Sequence, residues 1–261
     1  MSKYAVIYIC TGRYSILWKD FYESAEKFFL IGAQKEYFVF TDENNIIQNK
    51  GDRVHSFYAG KMGWPYDSML RWDRICCIQD LLTNYDYVVF CNANMEFLKE
   101  IPSEIFESTD FSLWSSTKDA DLPDQMPLER RQESKAYVPY GTDINQYVSG
   151  RFILGKTKQM LEMAQILRNW TEEDLRNGIT PVWHDESMEN AYFYHFGSKF
   201  TIQYVGPEFA AIEELLKEGE NTSAIFRDKD RYGGNLGMRY NMTLGKLDIL
   251  RRRIMGKLRI G

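Results

Sequence analysis

Several features that would place this sequence in a specialised class are scarce or missing. The 261 residues include only three histidines and four cysteines. No two cysteines have the C-x-x-C spacing, and the histidines do not complete a metal-ligand pattern with them. No apolar run approaches the roughly 20 residues that cross a bilayer. Lysine and arginine (32) are outnumbered by aspartate and glutamate (37), and the net charge of −5 argues against a general nucleic-acid binder.

The cysteines indicate a reducing environment. Cys10 and Cys91 each close a short apolar run, and Cys76 and Cys77 are adjacent in the chain. We expect all four to be reduced, buried thiols. The first residues lack the pattern of a signal peptide, so the expected location is the cytoplasm.

Strand-like and helix-like segments alternate along the chain. Short apolar runs typical of buried strands lie at 4–10, 37–40, 87–90, 111–114 and 200–205. Amphipathic patterns typical of helices cover 15–31, 67–82, 156–177 and 185–196. This alternation predicts an α/β fold, in which helices flank a mixed, mostly parallel sheet.

The last part of the chain differs from the rest. No interdomain linker precedes about residue 210, so we predict a catalytic domain at 1–210 and a C-terminal segment at 211–261. Residues 244–261 carry six basic side chains and one acid, Asp248, between apolar residues. A helix of this kind can lie on an anionic membrane surface. A helix docked on the protein, or a disordered end, explains the pattern equally well.

Three polar segments are candidates for a functional site. Ligands of open α/β sheets bind beyond the carboxyl ends of the strands, where Thr11–Tyr14 and Asn92–Asn94 are expected. The third segment, Trp183–Ser187, opens a predicted helix. Each has an ordinary structural explanation by itself, because Asn is common in turns and acidic residues favour helix starts.

Together these segments resemble glycosyltransferase family 6, which includes the ABO blood-group and α-1,3-galactosyltransferases. The most specific match is Trp183-His184-Asp185-Glu186-Ser187, which reproduces the family motif without change. The other matching stretches are 24–32, 37–42, 129–131, 136–139 and 147–155. The resemblance covers roughly residues 4–209. It implies a single-domain GT-A type nucleotide-sugar-binding fold and a UDP-sugar-dependent transferase that retains the anomeric configuration.

The resemblance also implies roles for individual residues. It makes Glu186 the catalytic carboxylate beneath the anomeric carbon, and it leaves His55 and His195 structural. The implied donor-binding residues are Ile9, Thr11, Tyr14, Arg71, Asn92, Asn94, Arg151, Asp185 and Lys229. The implied acceptor-binding residues are Trp183, His184 and Glu186. Lys229 belongs to a flexible lid at about 222–240, in which Arg231 and Arg239 are the alternative contacts to the diphosphate.

One departure from the animal members of the family affects the chemistry. Those members bind Mn²⁺ through a D-x-D pair, whereas this chain has Asn92 and Asn94. A carboxylate about 4 Å from a phosphate charge repels it by roughly 4 kcal/mol at an effective dielectric of 20. Amides remove this repulsion, and with it most of the affinity for hard cations, but they still hydrogen-bond to sugars and phosphates. The sequence therefore predicts a transferase that needs no metal ion and no other cofactor.

The resemblance favours one reaction over its alternatives. We expect transfer of GalNAc from UDP-GalNAc to the galactose of a fucosylated Fucα1-2Gal acceptor. The acceptor is expected on an oligosaccharide or a lipid-linked glycan, with the basic tail contacting the inner membrane face. Transfer of galactose from UDP-Gal, hydrolysis of the sugar nucleotide, and glycan binding without turnover are the alternatives.

Overall fold

A computed structural model describes residues 1–43, 45, 51–115, 128–142, 144 and 146–232. The predicted basic tail at 244–261 and Arg239 lie outside these residues. Residues 222–232 of the predicted lid are within them.

The described residues contain twelve strands and six α-helices. Strands β1–β12 cover Lys3–Ile9, Phe29–Ile31, Gln34–Thr41, Val54–Tyr58, Tyr87–Cys91, Met95–Phe97, Ile101–Pro102, Phe111–Ser115, Val148–Lys156, Ile202–Val205, Ala210–Ile212 and Ala224–Phe226. Helices α1–α6 cover Trp18–Phe28, Tyr66–Met69, Arg71–Cys77, Gln79–Leu82, Thr157–Arg176 and His184–Phe196. Short 3-10 helices lie at Gly12–Leu17, Ser103–Ile105, Gly197–Lys199, Glu213–Leu215 and Lys229–Tyr232.

Seven of these strands form the main sheet, in the order β10-β8-β9-β5-β1-β3-β4. Strand β9 pairs antiparallel with both β5 and β8, and the other neighbouring pairs are parallel. The predicted α/β fold with a mixed, mostly parallel sheet is confirmed. The sequence pattern identified β1, β3, β5, β8 and β10 but gave no strand at β4, nor did it identify the reversed β9.

The sheet is buried on both faces, which explains the nearly continuous apolar runs of its central strands. In β1, Ala5 and Ile7 point to a core shared with α3, α5 and α6. Tyr4, Val6 and Tyr8 of the same strand point to a second core, which contains the buried face of α1. The sheet is therefore packed between two hydrophobic cores, and residues at its carboxyl edge have well-defined positions.

Two predicted helices are shorter than their amphipathic patterns. The helix predicted at 15–31 ends at Phe28, because the next three residues form β2 and pair with β7. The helix predicted at 67–82 is divided into α2, α3 and α4, with breaks at Leu70 and Ile78. The Arg74 side chain donates hydrogen bonds to Asp67 across the first break and so links α2 to α3.

The prediction that all four cysteines are buried is wrong for Cys77. Cys10, Cys76 and Cys91 are buried free thiols, whereas Cys77 is exposed. Cys76 and Cys77 are consecutive on α3, and consecutive helical side chains point about 100° apart. Only one of the two can therefore face the core.

None of the described helices is both long and apolar enough to cross a membrane. The 20-residue α5 has sufficient length, but acidic and basic side chains recur along it.

A small second sheet joins the later part of the chain to the main domain. Strand β12 pairs parallel with β11 and antiparallel with β6, which follows the Asn92–Asn94 turn. Ala224, Ile225 and Phe226 of β12 are buried. The first residues of the predicted lid are thus a packed strand beside the turn. The division into a catalytic domain and a C-terminal segment stays a prediction.

Candidate functional site

A cavity of about 500 Å³ opens at the carboxyl edge of the main sheet, beyond β1 and β5. Cavities of this size accommodate small-molecule ligands. All the residues predicted as donor, acceptor or catalytic groups line it: Ile9, Thr11, Tyr14, Arg71, Asn92, Asn94, Arg151, Trp183, His184, Asp185, Glu186 and Lys229. The structure therefore brings together side chains that lie far apart in the sequence.

The turn after β1 forms one wall of the cavity. Gly12 has a φ of +59°, and its backbone N–H donates to Asp42 Oδ1 over 2.6 Å. A Cβ at this position would lie 3.0 Å from the Lys61 side chain. Glycine therefore suits the turn both because of its left-handed backbone and because Lys61 packs against it. The turn leads into the 3-10 helix that carries Tyr14.

The Asn92–Asn94 turn is fixed from two sides. The Asn92 backbone N–H donates to the Arg151 carbonyl over 2.8 Å, which ties the turn to β9. Asn94 Nδ2 donates to the Arg227 carbonyl over 2.7 Å, and the Arg227 N–H donates to the Asn94 carbonyl over 2.8 Å. Asn94 Oδ1 is buried and has no hydrogen-bond partner in the described part of the chain. This oxygen is therefore a candidate acceptor for a ligand hydroxyl.

The chemistry of this turn does not fit a divalent cation. Hard cations prefer several oxygen ligands with carboxylates among them, and the turn presents two amides. The Asn92 amide oxygen accepts the Ala93 N–H over 3.1 Å, which leaves Asn94 Oδ1 as the one unpaired amide oxygen of the turn as described. Within the described ranges, no group of three or more His, Cys, Asp or Glu side chains is arranged to hold a metal.

Glu186 lies in the first turn of α6. Its carboxylate accepts hydrogen bonds from a residue of β9 and from the residue that precedes β9. Its Oε1 accepts the Ser149 hydroxyl over 2.9 Å, and its Oε2 accepts the Tyr147 hydroxyl over 3.2 Å. Burial raises the pKa of Glu186, and the charge of Asp185 adds to this effect. The Ser149 hydrogen bond and the nearby Arg151 lower this pKa in part. Two hydroxyl donors thus fix the orientation of a carboxylate at the cavity wall.

Asp185 is paired with Arg71 beneath the cavity. The Arg71 guanidinium contacts Asp185 Oδ2 and donates to the Gly150 carbonyl. It also lies over the Phe90 ring, 4.2 Å from its centroid. Because these contacts use both terminal nitrogens, Arg71 is a rigid support for Asp185. Contact of Arg71 with a donor phosphate stays a prediction.

Arg151 supplies a second positive charge, held between aromatic rings. Its guanidinium lies 5.3 Å from the Trp114 centroid and 5.4 Å from the Phe226 centroid. Burial lowers its pKa, while the charges of Glu186 and Glu214 oppose this shift. Since arginine stays protonated at any ordinary pH, a fixed cation lies near Glu186.

The predicted acceptor residues lie at the start of α6. The Trp183 side chain is 48% exposed, which suits a face open to a sugar. His184 is buried with a φ of +53°, and its ring meets Trp64 edge-on at 4.5 Å. Such a backbone conformation is rare for non-glycine residues and costs energy that its surroundings must supply. The Trp183 N–H donates to Ser187 Oγ over 2.9 Å, which steadies this turn.

Of the cations considered for the diphosphate, Lys229 reaches the cavity. Its Nζ lies 5.4 Å from the centroid of the Tyr14 ring. Arg231 instead pairs with Glu213 over 2.5 Å, and the Asp228 N–H donates to the same Glu213 carboxylate. The preference for Lys229 over Arg231 fits this arrangement.

Sequence reasoning missed several residues of the site. Tyr147 and Ser149 belong to a segment that was recognised, but their contact with Glu186 depends on the unpredicted strand β9. Lys61 follows β4, a strand that was also not predicted. Glu189 is one helical turn after Asp185, and spacing alone could have placed it on the same face of α6.

Comparison with known proteins identifies the family of the chain. The sequence model of glycosyltransferase family 6 matches residues 4–215, which is most of the chain. The chain belongs to glycosyltransferase family 6. The protein is therefore a glycosyltransferase, and its mixed sheet is the GT-A-like fold expected for the family.

Its relatives include bacterial and animal enzymes. An Escherichia coli O-antigen biosynthesis glycosyltransferase, WbnI, is 33% identical over 87% of this chain and 94% of its own length. Rat histo-blood group ABO system transferase 2 is 29% identical over 78% of this chain and 62% of its own length. Chicken globoside alpha-1,3-N-acetylgalactosaminyltransferase 1 is 26% identical over 70% of this chain and 54% of its own length. The chain thus spans between half and two thirds of the length of these two animal relatives.

Proposed function

We propose that this glycosyltransferase moves GalNAc from UDP-GalNAc to the galactose of a Fucα1-2Gal acceptor, with retention at C1 and without a metal ion. The observation that supports this most directly is one cavity that combines an amide turn, Asn92–Asn94, with a carboxylate, Glu186, that two hydroxyl groups orient at the wall. The relatives support a sugar nucleotide as donor, and the globoside enzyme is named for GalNAc transfer.

The charges around the cavity suit an anionic leaving group. The cavity is lined by the basic residues Lys61, Arg71, Arg151 and Lys229 and by the acids Asp67, Asp185, Glu186 and Glu214, and the Asn92–Asn94 turn adds no further negative charge. Fixed cations stabilise charge as it develops on a leaving diphosphate without reorganisation at the moment of reaction. In this proposal these basic side chains do what a bound cation does in an enzyme with a D-x-D pair.

The reaction breaks the bond between C1 of the sugar and the β-phosphate oxygen, and the electron pair leaves with UDP. The acceptor hydroxyl forms the new bond to C1, and its proton passes to the departing diphosphate. Retention is achieved either by a glycosyl intermediate on Glu186 or by entry on the leaving-group face while Glu186 stabilises positive charge at C1. Both routes need an ionised carboxylate beneath C1.

The acceptor is proposed to be a glycan under construction. WbnI is named for O-antigen biosynthesis, which suggests a lipid-linked acceptor for this chain as well. We propose a cytoplasmic enzyme that meets such an acceptor at the inner membrane face. The basic residues at 244–261 are the proposed contact.

Product analysis with both donors tests the proposed reaction. We expect purified enzyme in EDTA to transfer GalNAc from UDP-GalNAc to fucosylated galactosides, with the α-anomer as product. Added Mn²⁺ should leave the rate unchanged. Faster transfer from UDP-Gal would assign galactose as the donor sugar, and release of free sugar with every acceptor would indicate a hydrolase. Loss of activity in EDTA that Mn²⁺ restores would refute metal independence.

Asn92→Asp isolates the effect of charge at the turn. The substituted aspartate keeps an oxygen that can accept the Ala93 N–H, so the change adds negative charge with little loss of protein contacts. We expect UDP-sugar affinity in EDTA to fall at least about tenfold. Asn94→Asp should be more damaging, because it also removes the Nδ2 donor to the Arg227 carbonyl. Titration calorimetry compares the variants, and an Asn92→Asp enzyme that binds donor normally in EDTA would contradict the charge argument.

A further inference from the structure

Glu189 is a buried carboxyl group that the proposed mechanism does not use. It is fully buried on α6, and neither of its side-chain oxygens has a hydrogen-bond partner in the structure as described. The nearest cationic atom is Arg71 Nη1, 3.6 Å from Oε1, which is too long for a hydrogen bond. An ionised carboxylate without hydrogen bonds is strongly disfavoured in such surroundings.

Gly150 lies between the Glu189 carboxyl group and the cavity. A Cβ on Gly150 would lie 2.7 Å from Glu189 Oε2 and 2.8 Å from Arg71 Nη1. Gly150 thus separates the cavity from Glu189, and its carbonyl accepts a hydrogen bond from Arg71. The glycine allows Arg71 and Glu189 to approach the wall of the donor site from behind.

The charged and titratable groups around Glu189 come from three parts of the fold. Asp185 and Glu186 lie on α6 itself, Arg71 comes from α3, and Tyr147 precedes β9. Of the charged groups that act on Glu189, Asp185 and Glu186 are acidic and Arg71 is basic. Burial raises the pKa of Glu189 far above its ordinary value, and the two neighbouring acids raise it further, against the effect of Arg71.

We propose that Glu189 is a positioning residue that keeps its proton while donor is bound, so that Arg71 serves Asp185 alone. The neutral acid removes one negative charge from beside Arg71, and so from beneath the proposed position of the diphosphate. Loss of the proton would place a second anion beside Arg71, weaken its hold on Asp185 and repel the nucleotide. This inference rests on the proposed donor site in the same cavity.

The proposal predicts the sign of a pH dependence. Donor affinity is highest while Glu189 is protonated, and it falls as pH rises through the raised pKa of this group. Above that pKa, affinity should fall by about tenfold for each pH unit, as expected for one linked proton. Glu186 acts in its ionised form, so its raised pKa limits turnover on the acid side instead.

Titration calorimetry with intact UDP-GalNAc, without acceptor, tests this from about pH 5 to pH 9. The diphosphate of the intact donor carries no proton that titrates in this range. If Glu189 loses its proton within this range, wild-type affinity declines at the alkaline end, and if its pKa lies higher, wild-type affinity stays constant. Glu189→Gln, which mimics the neutral acid, should keep the tight affinity throughout. Glu172→Gln, on the outer surface of α5, is the matched control and should follow the wild type.

A second measurement needs no variant. Near the pKa of Glu189, donor binding should take up as much as one proton, so the heat of binding by wild-type enzyme should differ between buffers of different ionisation enthalpy. A folded Glu189→Gln enzyme that binds donor more weakly than the wild type at about pH 6, or an alkaline decline that persists in this variant, would overturn the role of Glu189. Absence of any UDP-sugar binding by the wild type would instead refute the donor site itself.

Discussion

Replacing Glu186 with glutamine should nearly abolish transfer and leave the UDP-sugar bound. The amide keeps the size of the side chain, and its oxygen can still accept a hydrogen bond from the hydroxyl of Ser149 or Tyr147. It cannot stabilise positive charge at C1 or form a glycosyl intermediate. We expect the rate constant for transfer to fall roughly a thousandfold or more, and donor affinity to change little. Single-turnover transfer and calorimetry measure the two effects separately.

The control for this variant is Glu173→Gln on α5. Glu173 is 46% exposed and pairs with Lys135 at the surface, so the same chemical change there should not affect transfer. A Glu186→Gln enzyme with unimpaired transfer would remove Glu186 from the reaction centre. Equal losses of donor affinity and rate would make it a binding residue instead.

Replacing Arg71 with methionine should have the largest effect on stability. Arg71 is 7% exposed and connects Asp185, the Gly150 carbonyl and the Phe90 ring. Its removal leaves Asp185 as a buried charge without its partner. Breaking a buried pair in this way typically costs about 3–5 kcal/mol of the free energy of unfolding. Urea denaturation followed by circular dichroism provides the measurement.

Arg168→Met is the matched control. Arg168 pairs with Asp73 and Glu172, but it is 36% exposed at the surface. Exposed pairs contribute about 0–1 kcal/mol, so this variant should unfold close to the wild type. Equal losses in the two variants would show that the Arg71 cluster does not stabilise the fold as its contacts indicate.

The sequence predicts those strands and helices whose burial gives a clear pattern of apolar residues. The run at 4–10 is apolar throughout because β1 is buried on both faces. The long α5 is amphipathic because one of its sides packs on the sheet. The pattern did not indicate β2, since Phe29 and Leu30 continue the apolar spacing of α1 and only their pairing with β7 changes their conformation.

Residues that line the cavity could be predicted where they belong to a sequence motif, and they could not where their position depends on tertiary contacts. Asn92, Asp185 and Glu186 follow strand ends or open a helix, and such positions can be recognised in sequence. Lys61 reaches the cavity only because Gly12 and β4 place it there. Glu189 resembles any other acid on a helix until burial and the approach of Arg71 are known.

The Asn92–Asn94 turn also has a consequence for protein synthesis. Strands β1 and β5 leave the ribosome early, but the Arg227 carbonyl that receives Asn94 Nδ2 is made 133 residues later. A nascent chain that stops before β12 therefore lacks the strand that pairs with β6 and fixes this turn. Because this contact forms only after both residues have been made, the proposed donor site is incomplete until nearly all of the described chain has been translated.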